Sequence, residues 1–194
     1  MPYGDTVKLI FGGQKPAEAT ILIRKPYWTE GMTVAVNGKA VEAKADAAGF
    51  IPVQESFKEG DVIDIKLPMA LRTESMPDNP NRIAFFYGPT LLCADLDGDK
   101  PVPALLGEKT ELLKALTPVD GKPLTFEGKG LGRISTAEGW KTTDVLLVPH
   151  FEVADQQYSV YMDIFSQSEW EKKQKEYEEQ LRIRKAWWVK PYPH

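Results

Sequence analysis

Ile21-Leu22-Ile23-Arg24, Val34-Ala35-Val36-Asn37-Gly38-Lys39 and Gly60-Asp61-Val62-Ile63-Asp64-Ile65 decide the fold class of this chain. In the last of these, Val62, Asp64 and Lys66 alternate with Ile63, Ile65 and Leu67, the period of a strand with one face in a core. Asn37-Gly38 separates strand-like Thr33 to Val36 from Ala40 to Lys44 and accepts positive φ at both central turn positions, so it predicts a tight hairpin. Asp5 to Phe11 sets Val7, Leu9 and Phe11 against Thr6, Lys8 and Ile10, again with period two. Glu18 to Arg24 is apolar or β-branched on nearly every residue, which predicts a strand covered on both faces. Pro52 cannot donate to a ladder and marks an edge or a bulge.

Arg82 to Tyr87 and Thr90 to Ala94 form a further strand pair around Gly88-Pro89. From Asp95 to Pro103 the composition turns to Asp, Gly and Pro, and a boundary is expected there. Thr110 to Leu116 fits one or two helical turns. Short strands return at Leu124 to Phe126, Asp144 to Val148 and Tyr158 to Phe165. In the last, Tyr158, Val160, Met162 and Ile164 alternate with Ser159, Tyr161, Asp163 and Phe165, so both faces carry aromatic or aliphatic groups. The pattern is all-β: a jelly-roll-like β-sandwich over 1–99, a small β domain over 100–167, a charged helix over 168–186 and a tail over 187–194. Ser168 and Glu171 have capping-box spacing at the helix start. Glu169–Lys173, Glu171–Lys175 and Glu178–Arg182 stand at i,i+4. The apolar stripe of Trp170, Tyr177, Leu181 and Trp188 is narrow enough to seat on a surface.

A net charge of −4 from 24 basic and 28 acidic residues leaves no basic field for phosphate, so nucleic acid is excluded as a partner. No apolar run reaches the ~20 residues of a membrane-spanning helix, and no membrane partner is expected. Met1 leads at once into strand-like sequence, which suggests a piece of a longer protein. Cys93 is the sole cysteine, so no intrachain disulfide can form.

Asp95-Leu96-Asp97-Gly98-Asp99 places alternate acids in a loop, as calcium sites do. Lys100 stands at the EF-hand glycine position and Leu106 at its bidentate glutamate, so a solvated turn is the better reading. Cys93, His150 and His194 cannot assemble a zinc site without carboxylates, and no nucleophile elbow or triad spacing occurs. No catalytic residue, metal ligand or cofactor is assigned. The remaining functional lead is aromatic: Tyr27-Trp28 after Pro26, and Trp187-Trp188 with Tyr192, are candidates for stacking on sugar faces. The competing reading packs Tyr27 and Trp28 on the sandwich and docks the terminal cluster on a sheet or a partner domain.

Taken in order, Ile21 to Arg24, Pro26-Tyr27-Trp28, Val34 to Lys39, Gly60 to Ile65, Leu67-Pro68-Met69, Asn81-Arg82 and Tyr87-Gly88-Pro89 resemble the β-sandwich that follows the catalytic barrel in glycoside hydrolase family 127, the β-L-arabinofuranosidase type. Pro118 to Phe126, Leu147-Val148-Pro149 and Tyr158 to Tyr161 are similar to the small β domain trailing that sandwich. Phe57 stands where relatives often carry Trp, and Ala154-Asp155 where they often show His-Asp.

The resemblance implies a parent with an (α/α)6 barrel that uses a cysteine nucleophile, a carboxylate acid/base and a zinc bound by cysteines and glutamate. A single cysteine cannot supply that set. The expectation is a non-catalytic accessory portion of a glycoside hydrolase acting on plant-type polysaccharides, with the absent barrel of the same polypeptide as its partner. The resemblance also implies a secreted or periplasmic parent. The alternatives are a carbohydrate-binding module using exposed aromatics, and a domain–domain or homo-oligomer interaction module.

Overall fold

The computed structural model describes residues 3–96, 98, 100–136 and 138–188. It divides into two compact units, one of residues 1–71 with 87–90, the other of 72–86 with 91–194.

Six strands build the first unit: β1 (Thr6–Ile10), β2 (Ala17–Arg24), β3 (Thr33–Val36), β4 (Lys39–Ala40), β5 (Phe50–Phe57) and β6 (Val62–Lys66). One sheet runs β1-β6-β3-β4, and β2 pairs with β5 in a second. Alternation sends Val34, Ile63 and Ile65, with Leu67 just after β6, into one shared core with Ile23, Ile51, Val53 and Phe57 of the second sheet. Each such fully buried side chain contributes about 1.5–3 kcal/mol. Phe11 stacks on Phe57 with ring centroids 4.1 Å apart. Two sheets sharing one interior form a sandwich.

β2 departs from its sequence reading. Glu18, Thr20, Leu22 and Arg24 are exposed, so the strand is covered on one face only. On the outer face, Thr20 reflects strand propensity rather than burial. Pro52 pairs with Leu22 in a two-stranded sheet, where each strand keeps an open edge that tolerates a missing donor.

The Asn37-Gly38 turn forms as expected, with φ of 48° and 79°, though β4 is only two residues long. Asn37 also ties the turn to the loop before β6. Its Nδ2 donates to Asp61 Oδ1 at 3.0 Å, and its Oδ1 accepts from the Val62 N–H at 2.9 Å. Asp61 Oδ2 accepts the Lys58 N–H at 2.8 Å. That backbone bond is the main reason the Asp61 carboxyl lies below its ordinary range; burial opposes it, and the Asn37 amide and Lys58 charge reinforce it.

A depressed carboxylate stabilises the fold above the ordinary Asp range of about pH 4, and the contribution is lost as pH falls through the folded value. Asp61→Asn should therefore flatten the acid limb of the stability curve below about pH 4, measured by urea midpoints as pH is lowered.

The segment 87–90 belongs to the first unit, where the Gly88 N–H donates to Ala70 O at 3.1 Å. Gly88 has φ of 54°, and a Cβ there would lie 2.5 Å from Met69 Cγ. Gly88→Ala combines left-handed strain with that clash and should cost about 1–3 kcal/mol, read as a lowered urea midpoint with unchanged slope.

The second unit holds β7 (Leu71–Ser75), β8 (Arg82–Tyr87), β9 (Thr90–Asp95), β10 (Ala104–Leu106), α1 (Lys109–Ala115), β11 (Thr117–Pro118), β12 (Phe126–Thr136), β13 (Gly139–Pro149), β14 (Tyr158–Ser159), β15 (Tyr161–Phe165) and α2 (Gln167–Trp188). Its sheet runs β14-β9-β13-β12-β10-β15-β8-β7, with β11 beside β12. Because β8 also pairs with β9, the strand order returns on itself. Ile83, Ala84 and Phe85 are consecutive buried residues on β8, as are Leu92, Cys93 and Ala94 on β9, so these strands are covered on both faces. β8 and β9, which sequence places as the pair Arg82 to Tyr87 and Thr90 to Ala94 within the 1–99 sandwich, thus hydrogen-bond with β13, β14 and β15. Fully apolar strands need partners on both sides, and those partners come from later in the chain.

α2 begins one residue before the 168 expected from sequence, and its cap lies two residues before Ser168. Ser166 is the cap: the Glu169 N–H donates to Ser166 Oγ at 3.4 Å, and the Ser166 N–H donates to Glu169 Oε2 at 2.8 Å. Ser168-x-x-Glu171 has the same spacing, but the helix that begins after Ser166 buries Trp170, which is 3% exposed. Glu169 serves the cap rather than Lys173, and Arg182 pairs with Glu179 at 2.8 Å. Trp170 meets Trp140 edge-on at 4.7 Å between centroids, and Tyr177 Oη donates to Thr136 O at 3.2 Å. The Leu181 and Trp188 side chains lie outside the described residues.

Candidate functional site

Tyr27 and Trp28 occupy the bend that ends β2. Thr29, 2% exposed, pins this bend by donating its hydroxyl to Pro68 O at 2.8 Å. The pinning separates the two rings. Tyr27 is 81% exposed, whereas Trp28 packs on the first unit's core. A sugar platform built from both rings is therefore not assembled. The Trp187 and Trp188 side chains and Tyr192 lie outside the described residues, as do Asp97 and Asp99 of the acidic loop.

Cys93 lies in β9 opposite Val148 of β13, fully buried, with its thiol 3.7 Å from Val148 O. Burial, reinforced by the charge of Asp95, pushes its pKa up to about 11. His150 stands in a 3-10 turn and meets Tyr158 edge-on at 5.3 Å. Among the described residues, no three of His, Cys, Asp and Glu converge to hold a metal ion. An aromatic disulfide reagent at about pH 8 should label native Cys93 at least about a hundredfold more slowly than the urea-unfolded thiol, from the smaller thiolate fraction alone.

The concavity with mixed aromatic and charged walls belongs to the second unit. It is a groove of about 560 Å³ whose lining includes Arg82, Ala104, Trp140, Tyr161, Asp163 and Phe165. Met162 and Ile164 of β15 point to the core, which turns Tyr161, Asp163 and Phe165 to the other face. Arg82 of β8 stands directly across from Asp163. The two make a bidentate pair, Nε donating to Oδ1 at 2.8 Å and Nη2 to Oδ2 at 3.1 Å. Next along the sheet is β10, which presents Ala104, so a methyl group lies between the larger side chains of β15 and β12. Lys173 of α2 places its ammonium 4.5 Å from the Phe165 centroid. The corner between β14 and β15 is held by Ser159, whose hydroxyl donates to Tyr161 O at 2.7 Å.

Sequence reasoning read the alternation of β15 but not this site. The signal was the outward triplet Tyr161, Asp163 and Phe165. Its completion by Arg82, 81 residues earlier, required the strand pairing.

A sandwich unit and a ring-ordered β unit make this an all-β protein in class. Residues 1–69 match the family model described as the GH127 middle domain of β-L-arabinofuranosidase. Solved structures sharing the fold include a glycoside hydrolase, at 21% identity and TM-score 0.63, over 84% of this chain and 31% of that one. A GH127 β-L-arabinofuranosidase from Geobacillus stearothermophilus T6 gives 16% and 0.64 over 84% and 29%. A further GH127 β-arabinofuranosidase gives 21% and 0.62 over 84% and 30%. Among curated proteins nothing matches. The chain is therefore GH127-like, and it spans less than a third of the length of each of these solved structures.

Proposed function

We propose that this chain is the non-catalytic accessory portion of a GH127-type glycoside hydrolase, and that it braces an (α/α)6 barrel carried by the rest of the polypeptide. The observation that carries this reading is its fold coverage: 84% of the chain overlays a segment that is under a third of arabinofuranosidases of known structure. The first unit fits a bracing role chemically. Ile10 and Leu22 are 71% and 57% exposed on its outer strands, and Tyr27 stands out from its bend. A neighbouring domain that covered them would remove apolar surface from water, a driving force of about 25 cal/mol per Å². The thiol at Cys93 has neither the access nor the depressed pKa that a nucleophile needs. On this reading the parent acts on arabinose-containing plant polysaccharides.

The isolated 194-residue chain should release no aryl group from an aryl β-L-arabinofuranoside above a buffer blank. The parent polypeptide carrying the same segment should release it. Turnover by the isolated chain that survives repurification and disappears in Cys93→Ala would refute the assignment.

A further inference from the structure

We propose that the groove on the second unit is a subsite for a neutral saccharide, with Tyr161 as its stacking platform and the Arg82–Asp163 pair as its hydroxyl clamp. The choice of arabinose-based probes rests on the proposed function; the subsite itself rests on the geometry of this unit.

Sugar recognition needs a flat apolar face and, beside it, donors and acceptors held in fixed positions. Tyr161 supplies the face, being 46% exposed on the outer side of β15. Phe165, on the same side, is already occupied by the Lys173 ammonium, so it closes an end of the groove rather than offering a second platform. Two residues along β15 from Tyr161, the Arg82–Asp163 pair presents a guanidinium and a carboxylate joined by two hydrogen bonds. Each partner fixes the other's orientation, yet both side chains remain in contact with solvent, at 47% and 33% exposure. Nε spends its single N–H on that pair, but Nη2 uses only one of its two, and each carboxylate oxygen has further lone pairs. A vicinal diol can therefore donate to Asp163 and accept from Arg82 at once, without breaking the pair. Because the pair is internally neutral, it favours hydroxyl groups over a charged ligand.

Space for the ring comes from small residues. Ala104, Ser135 and Ser159 line the groove along with Tyr161 and Trp140, and a volume of about 560 Å³ accommodates a short oligosaccharide. The platform is also held in place, since the Ser159 bond to Tyr161 O fixes the backbone at the corner.

Calorimetric titration of the full chain with arabinotriose and with cellotriose tests the assignment. Saturable binding with a dissociation constant of about 0.1–5 mM is expected. Tyr161→Ala should weaken it at least about tenfold, while Tyr161→Phe should stay within about threefold, because the face and not the hydroxyl makes the contact. Asp163→Asn, which leaves the shape but removes the charge, should weaken binding about three- to tenfold. Tyr27→Ala on the first unit should change nothing. Absence of saturable binding to either sugar, or loss in Tyr27→Ala but not Tyr161→Ala, would overturn the subsite. Tyr161-dependent binding of cellotriose alone would uphold the subsite and count against arabinose as the parent's sugar.

Discussion

The pairing of β8 with both β15 and β9 is the constraint on which the second unit depends. Without the β8–β9 pairing, the outer sides of these two apolar strands would be covered only by β7 and by the two-residue β14. Such edges invite pairing with other chains. Returning the order on itself satisfies them internally and explains the run of consecutive buried residues on each strand. It also fixes register at the groove. Arg82 meets Asp163 because Ile83 and Met162, their neighbours in the ladder, are both held in the core. A one-residue slip would turn the ion pair inward and two apolar residues out.

The first unit solves a different problem with polar groups. Its sheets are small, and a turn at Asn37-Gly38 would be weakly fixed by a two-residue β4 alone. The Asn37 amide instead bonds the loop before β6, and Asp61 closes that loop through the Lys58 N–H. Each of these bonds spans a loop rather than a ladder, so a few side-chain contacts fix the position of β6 relative to the turn. The sandwich core of the first unit then follows from alternation alone.

Local pattern explains which parts of this architecture were legible in the sequence. Strands with clean alternation, such as β1 and β6, and the Asn-Gly turn could be read directly, because one side-chain period determines them. β12 could not. Its Gly128-Lys129-Gly130-Leu131-Gly132 stretch breaks the apolar pattern, and the register shifts there. A Cβ on Gly132 would lie 2.7 Å from Thr143 Cγ2 and 2.9 Å from Pro103 Cβ, so close packing of neighbouring side chains, not turn formation, selects glycine. The division near Leu71 was hidden for a related reason. Composition shifts at Asp95 to Pro103, but β8 and β9 bond to strands from beyond that shift, and pairing over such separations leaves no local trace. The helix cap shows the same limit: two overlapping Ser-x-x-Glu boxes are equivalent in sequence until burial of Trp170 selects one.

The candidate residues followed this rule as well. Tyr27 and Trp28 adjoin in sequence, yet a bend pinned by Thr29 sends one ring out and the other onto the core, so sequence adjacency carried no information about a shared platform. Tyr161, Asp163 and Phe165 are separated by buried residues, yet strand geometry places them on one face. Two-residue spacing along a paired strand is thus a better guide to a shared surface than adjacency at a bend. The face they form keeps its polarity because the ring already satisfies the backbone beneath it. Above it, Phe165 packs with Lys173 and Trp170 of α2, while the Arg82–Asp163 pair lines the groove.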